Sequence, residues 1–216
     1  HSAALLLLRR WGRDDLIARS DPQIANRPPA AQVEHRGWMV GPNGHTFVTL
    51  RGPLTFRMGS PEGEPWRFPR EALHVRRIDR HLAVGTTEVT EAQYLVFCKE
   101  TGRKHNPDPR HGTDPDAPAH ELTWYDAVAY CNWLSRRAGL EPAYPEPVQE
   151  GMKVPGNIAT RRGYRLPTEA EYERCRRRFP SLVDLLRVVR VQEPAPYQIP
   201  SLLATWHARR SHTVTL

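Results

Sequence analysis

Three segments of the chain share one pattern, and this pattern fixes where helices can begin. Each has a threonine followed three residues later by a side chain that accepts hydrogen bonds, and the three threonines are Thr90, Thr123 and Thr168. In this arrangement the threonine and the later residue each accept a hydrogen bond from the other's backbone N–H, which caps the helix. The pattern therefore predicts three helices, each starting one residue after its threonine.

Apolar residues behind the first two caps recur with helical spacing. They are Tyr94, Phe97 and Cys98 after Thr90, and Ala127, Tyr130, Cys131 and Leu134 after Thr123. A stripe of this kind is typical of a helix that packs on a core. Glycine is common just past a helix end, so Gly102 and Gly139 are the expected ends of these two helices.

Upstream of the first cap, the spacing of apolar residues shortens to two. Residues 45–50, 54–58, 72–78 and 81–89 alternate in this way, with turn residues between them. Short alternating segments predict a small, partly exposed antiparallel sheet. Because the chain also contains 21 Pro and 14 Gly, we expect a loop-rich α+β fold with two main helices.

The chain divides into four parts by composition. Residues 1–20 are predicted to be the remnant of an upstream helical domain, with Leu5, Leu8, Trp11 and Ile17 as its buried positions. Residues 21–36 are rich in Pro and are predicted to be a linker. Residues 37–173 then form the folded domain, and residues 174–216 form a divergent, Arg-rich and poorly ordered tail.

The formal net charge of +7 comes almost entirely from that tail. Residues 174–216 contain eight arginines against Asp184 and Glu193, whereas the first 173 residues are nearly neutral. This distribution argues against a nucleic-acid partner, and no apolar run is long enough for a membrane span. Residues 181–191 are interpreted as an apolar run without a role, the alternatives being a basic amphipathic helix or a folded lid.

The cysteines Cys98, Cys131 and Cys175 form no C-x-x-C pair and no metal-site spacing. We interpret them as small buried hydrophobic residues in a reducing, cytoplasmic environment rather than as a redox pair.

A loop at residues 103–122 carries several possible metal ligands, which are His105, His111, His120, Asp108, Asp114 and Asp116. Their spacing matches no loop of defined ligand geometry, such as the calcium loop of twelve residues, and prolines after Asn106 and Asp114 indicate turns. A solvated loop without metal is therefore the favoured interpretation.

Four blocks of the chain resemble the sulfatase-modifying-factor family in order and spacing. They are residues 56–64, 74–102, 120–140 and 163–173. The family includes the formylglycine-generating enzymes, and the resemblance implies a C-type-lectin-like fold and a bacterial multidomain protein. It also implies that the segment Arg-Leu-Pro-Thr-Glu-Ala-Glu is scaffold. Glu169, Glu171 and Glu173 are accordingly interpreted as structural rather than as a paired-carboxylate acid/base site.

The tail departs from the family pattern. Complete formylglycine-generating relatives place a copper-binding cysteine pair in Gly- and Trp-rich blocks that follow these four, and use it to oxidise a substrate cysteine to formylglycine. Here residues 174–216 contain no Gly. We therefore expect an incomplete domain, truncated or frame-shifted in its C-terminal half, in which Phe97, Tyr130 and Leu134 are incompletely covered.

The expected function follows from this departure. The chain is interpreted as the N-terminal portion of a formylglycine-generating-enzyme-like domain, inactive as given, with no catalytic, cofactor-binding or metal residues of its own. The complete protein would act on a protein or peptide. The alternative is a C-type-lectin-like binding or scaffolding module of a bacterial regulatory protein.

Overall fold

The three predicted helices are present in a computed structural model of the protein, which describes residues 8, 11–13, 15, 16, 19, 37–107, 114–178 and 189–191. They are α1 (Glu91–Thr101), α2 (Trp124–Arg137) and α3 (Glu169–Arg178). At each start the threonine Oγ1 accepts a hydrogen bond from the backbone N–H three residues later, and the reciprocal bond is also made. The predicted helix starts are confirmed.

Within the described residues, seven short strands form two antiparallel sheets. They are β1 (Trp38–Val40), β2 (Thr46–Leu50), β3 (Leu54–Met58), β4 (His74–Ile78), β5 (Leu82–Gly85), β6 (Tyr164–Arg165) and β7 (Val189–Val191). The larger sheet has the order β1–β2–β5–β7–β6, and β3 pairs with β4 in the smaller one. The four predicted strands are confirmed, although β2 and β3 belong to different sheets.

The core consists of two apolar clusters, one on each face of the larger sheet. The larger cluster is built by α1 and α2 with Phe47, Ala83 and Tyr164 from the sheet. In it Phe97, Tyr130 and Leu134 are at most 1% exposed, so the expectation that they would be incompletely covered is wrong. They are covered because the sheet and the neighbouring aromatic rings close over them.

The smaller cluster joins the two sheets to α3. Its buried residues are Ile78, Leu82, Val84 and Cys175, with Val48, Leu50, Leu54 and Phe56 packed against them. No helix among the described residues has the length and hydropathy required to cross a membrane.

Part of the predicted tail is in regular structure. Residues 174–178 complete α3, and Val189–Val191 form β7 between β5 and β6. The chain at 189–191 is thus a strand rather than the end of a helix. Residues 179–188 and 192–216 lie outside the described residues.

At the N-terminal end, Trp11 and Gly12 form a turn in which the backbone N–H groups of Trp11 and Arg13 both donate to Leu8 O. Trp11 is 68% exposed, so its prediction as a buried position is wrong, because the chain turns where a continuous helix was expected. Leu8 is half-buried. Leu5, Ile17 and the predicted linker at 21–36 lie outside the described residues.

Candidate functional site

The segment at residues 163–173 contributes to a buried ion cluster rather than to an open cleft. The Arg165 guanidinium donates two hydrogen bonds to the Glu171 carboxylate, from Nη1 to Oε2 and from Nη2 to Oε1, each of 2.7 Å. Arg80, in the turn between β4 and β5, donates from Nη2 to Glu171 Oε1 at 2.7 Å. The side chains of Arg165 and Glu171 are 0% exposed and that of Arg80 is 8% exposed. The cluster joins β6, α3 and the β4–β5 turn.

Charge pairing keeps Glu171 ionised. Burial by itself would raise the pKa of this carboxyl, but the guanidinium groups of Arg165 and Arg80 and the Thr168 N–H together lower it to about 2. Burial opposes the charge of Arg165 as well, and the neighbouring carboxylate nevertheless raises the pKa of this arginine. A carboxylate that is enclosed and fully paired in this way cannot exchange protons with a substrate, so its role is structural.

The three carboxylates of this segment do not share a cleft. Glu169 is exposed, Glu171 is buried, and Glu173 accepts a hydrogen bond of 2.7 Å from Arg177 Nε on the same helix. A paired-carboxylate acid/base site requires two such groups facing one cavity. Their separation favours the scaffold interpretation.

The three cysteines lie in two different apolar clusters. Cys98 and Cys131 belong to the larger cluster, whereas Cys175 belongs to the smaller one. All three are buried free thiols, and burial raises the pKa of Cys98 and of Cys131. Copper(I) binds thiolates, and these surroundings disfavour the thiolate form. The cysteines therefore do not fit a copper centre.

The loop at residues 103–122 differs from the solvated loop that the sequence predicts. His105 Nε2 lies 2.9 Å from Glu91 Oε2, and His120 Nδ1 lies 2.9 Å from Glu91 Oε1. The side chains of Glu91 and His105 are only 8% and 5% exposed. The solvated interpretation is wrong for these two histidines, because they provide polar partners for a carboxylate that α1 buries.

The same loop caps the N-terminus of α1. The Glu91 N–H donates to Ala117 O at 2.8 Å and the Ala92 N–H donates to Pro115 O at 2.9 Å. These N–H groups have no acceptor within the helix, so two carbonyl groups of the loop supply the acceptors.

The remaining ligand candidates do not converge on these histidines. Asp114 Oδ1 accepts a hydrogen bond from the Asp116 N–H at 2.9 Å, and Asp108 and His111 lie outside the described residues. Within the part of the chain that the structure describes, no group of three His, Cys, Asp or Glu side chains is arranged to hold a metal ion.

Sequence reasoning did not identify a second buried polar group, which connects the start of β2 to α2. His45 Nε2 lies 2.6 Å from Tyr130 Oη, and Asn43 Nδ2 donates to the same oxygen at 3.1 Å. Burial lowers the pKa of His45 to about 4, and it raises the pKa of Tyr130. Both side chains are therefore neutral near pH 7. The strand pattern at 45–50 indicates burial of this region but gives no sign of a partner 85 residues away.

A groove of about 610 Å³ opens between α1, α2 and residues 146–148. It is lined by Phe97, Thr101, Arg103, Ala129, Trp133, Arg136, Glu146, Pro147 and Val148. Its charged groups are paired within the protein, Arg136 with Glu146 and Arg103 with Asp126. The groove thus offers apolar surface, and the charges of its lining residues Arg103, Arg136 and Glu146 are all paired.

The loop at residues 60–72 presents an exposed tryptophan. Trp66 is 95% exposed and has a φ of 65°, a conformation that is strained for a bulky side chain. The ends of the loop are joined by the Ser60 N–H, which donates to Glu71 O at 2.8 Å, and Arg67 Nε donates back to Ser60 O at 3.0 Å. The loop is therefore held in shape while Trp66 faces solvent.

Comparison with known proteins identifies the family. The sulfatase-modifying factor enzyme 1-like domain matches residues 38–181, which include α1, α2, α3, β1 to β6 and the buried ion cluster. This chain belongs to that family. The resemblance of the four sequence blocks and the predicted α+β fold of this family are confirmed.

Individual relatives match only part of their own length. Over 101 residues, 42% of this chain, the sequence is 32% identical to chaperone protein LppX of Paenibacillus barcinonensis, and the match covers 34% of that protein. The chain thus spans about a third of the length of this curated relative.

Two solved structures are similar in fold. PvdO from Pseudomonas aeruginosa superposes with a TM-score of 0.50 at 22% identity, covering 74% of this chain and 54% of PvdO. Treponema denticola variable protein 1 gives a TM-score of 0.44 at 20% identity, covering 61% of this chain and 52% of that protein. At these identities the likeness to PvdO establishes the fold alone.

Proposed function

We propose that residues 38–181 are the framework portion of a sulfatase-modifying-factor domain and hold no oxidising centre of their own. The family's formylglycine-generating activity, oxidation of a substrate cysteine, would then require thiolates from outside the described residues. The observation that carries this proposal is the burial of Cys98, Cys131 and Cys175 in two separate apolar clusters.

The physical reason is the chemistry of the thiols. A copper-binding pair needs two thiolates close together and open to substrate. Cys131 is 0% exposed and Cys98 is 5% exposed, and the pKa of each is raised by burial. Both residues also belong to the apolar face of a core helix. Their role in the proposal is packing.

The test is an aldehyde assay on the full chain. A Cys-x-Pro-x-Arg peptide is incubated with the protein, copper, a reductant and oxygen, and peptide mass and hydrazide labelling report formylglycine. We expect no aldehyde above the protein-free control. Formation of aldehyde that is lost in Cys98→Ser, Cys131→Ser or Cys175→Ser would refute the proposal.

The second candidate function is protein binding, and the exposure of Trp66 favours it. Phe68, two residues further along the same loop, is 51% exposed. Tryptophan is enriched among the residues that dominate protein interfaces. A relative is named a chaperone protein, which is compatible with a module whose role is contact with other proteins.

A further inference from the structure

The buried ion cluster contains more positive charge than negative charge. Arg80 and Arg165 are both cations, and among the described residues Glu171 is the carboxylate with which each of them forms an ion pair. Tyr144 and Cys131 also lie near Arg165, but both are neutral because burial raises the pKa of each. The described part of the cluster therefore has a net charge of +1 in a buried environment.

Two N–H groups of the cluster have no acceptor among the described residues. They are the buried Nε–H groups of Arg80 and Arg165. The other nitrogen atoms of the Arg165 guanidinium are occupied, since Nη1 donates to Leu166 O and Nη2 to Ala159 O in addition to their bonds to Glu171. Buried donors are almost always paired in native proteins, and a buried charge without a counter-charge is costlier still. Both features point to a ligand that accepts hydrogen bonds and is negatively charged.

The surroundings of these donors limit the size of such a ligand. The side chains of Arg165 and Glu171 are 0% exposed, so of the three ions only Arg80, at 8%, contacts solvent. The backbone of Arg80 is packed closely as well, because a Cβ on Gly52 would lie 2.3 Å from Arg80 O. A ligand must therefore enter from the β4–β5 turn and be small.

We propose that the ion cluster is a binding site for a small monatomic anion, chloride, beside the Nε–H groups of Arg80 and Arg165. The two guanidinium groups are neighbours, since the Nη2 atom of each lies 2.7 Å from the same oxygen, Glu171 Oε1. One anion at this position therefore acts on both cations. A water molecule would accept the same hydrogen bonds but would leave the net charge in place, whereas chloride removes both deficits.

The bound anion has a structural role. The cluster joins β6, α3 and the β4–β5 turn, so an anion that neutralises it stabilises the contact between these three elements. A ligand that binds the native chain and not the unfolded chain shifts the unfolding equilibrium toward the native state. The stability of the fold should therefore depend on the chloride concentration.

The experiment is urea denaturation of the full chain at constant ionic strength, with chloride replaced stepwise by gluconate, which is too large for the site. Arg80→Gln removes the excess charge together with one of the two Nε–H groups. Arg77→Gln is the matched control, because Arg77 is an exposed arginine at the end of β4 that pairs with Asp79 outside the cluster.

We expect the unfolding equilibrium constant of the unsubstituted chain to fall about tenfold when chloride reaches about ten times its dissociation constant. Arg77→Gln should respond in the same way, and in Arg80→Gln the constant should change by less than about twofold. General effects of the two salts on protein stability are shared by the three proteins. The inference is overturned if the unsubstituted chain shows no chloride dependence, or if all three proteins show the same one.

A second measurement decides the question if Arg80→Gln does not fold. Crystals of the unsubstituted chain are grown or soaked in bromide, which replaces chloride and is located by its anomalous scattering. An anomalous peak beside the Nε atoms of Arg80 and Arg165 supports the anion site, and a water molecule or no peak at that position overturns it. Neither measurement involves copper or a peptide, so the outcome is independent of the aldehyde assay.

Discussion

Glu171 shows how a single side chain can organise this fold. Its two carboxylate oxygens receive hydrogen bonds from Arg165, Arg80 and the Thr168 N–H, so one residue joins β6, the β4–β5 turn and the start of α3. Ions buried in this way are stable only as a matched set, since each desolvated charge depends on its partner. Removal of one member should therefore cost far more than loss of a surface ion pair.

Glu171→Gln tests this expectation, with Glu173→Gln as the matched control on the same helix. The first substitution leaves two buried guanidinium groups without their carboxylate and should lower the free energy of unfolding by about 3–5 kcal/mol. The second removes the partly exposed Glu173–Arg177 pair and should cost about 0.3–0.5 kcal/mol. Urea denaturation followed by circular dichroism measures both. Equal losses for the two variants would contradict a structural role for the cluster.

His45 gives the fold a pH dependence of predictable sign. The pKa of this buried histidine is lowered from 6.5 to about 4, so the unfolded chain binds a proton at a higher pH than the native protein does. Stability is therefore unaffected by His45 above pH 6.5 and falls as the pH drops from 6.5 to 4. The loss over that interval should be about 3 kcal/mol.

The measurement compares urea denaturation of the unsubstituted chain and His45→Gln at several pH values between 7 and 4. Glutamine keeps a polar group near Tyr130 Oη but does not titrate, so the difference in unfolding free energy between the two proteins should change by about 3 kcal/mol across the interval. Contributions that the two proteins share cancel in this difference. Parallel pH profiles would show that His45 does not carry the effect.

At the scale of elements, contacts between residues close in sequence were predictable, and contacts between residues far apart in sequence were not. A capping box involves residues three apart, so Thr90, Thr123 and Thr168 could be identified from the sequence as helix starts. The histidines that approach Glu91 are 14 and 29 residues away from it. No local period connects them, and the same residues were therefore interpreted as part of a solvated loop.

β7 shows the same limit for strands. Alternation identifies a strand when four or more residues repeat the pattern, as in β2, β3 and β4. β7 has three residues, too few to show a period, and it lies between β5 and β6, which are far from it in sequence. Its place in the sheet could not be inferred from the Arg-rich composition of the tail.

At the scale of the whole molecule, the family and the fold could be predicted from the sequence. Which residues meet in the buried polar network could not. The four blocks identified the domain because each carries local structure, a cap, a strand or a helix stripe. The ion cluster needed Arg80 and Glu171, which are 91 residues apart, to meet in space. What results is a core whose two apolar clusters bury three free thiols.

The most direct test of this account is the state of the thiols in the native chain. Thiol reagent is added to the native and the urea-denatured protein, and a chromophoric copper(I) chelator reports whether the native chain withdraws copper. We predict that Cys98, Cys131 and Cys175 react only after denaturation, because burial shields them, and that no copper(I) is retained. A pair of thiols that reacts rapidly in the native protein and is protected by one equivalent of copper(I) would contradict the account.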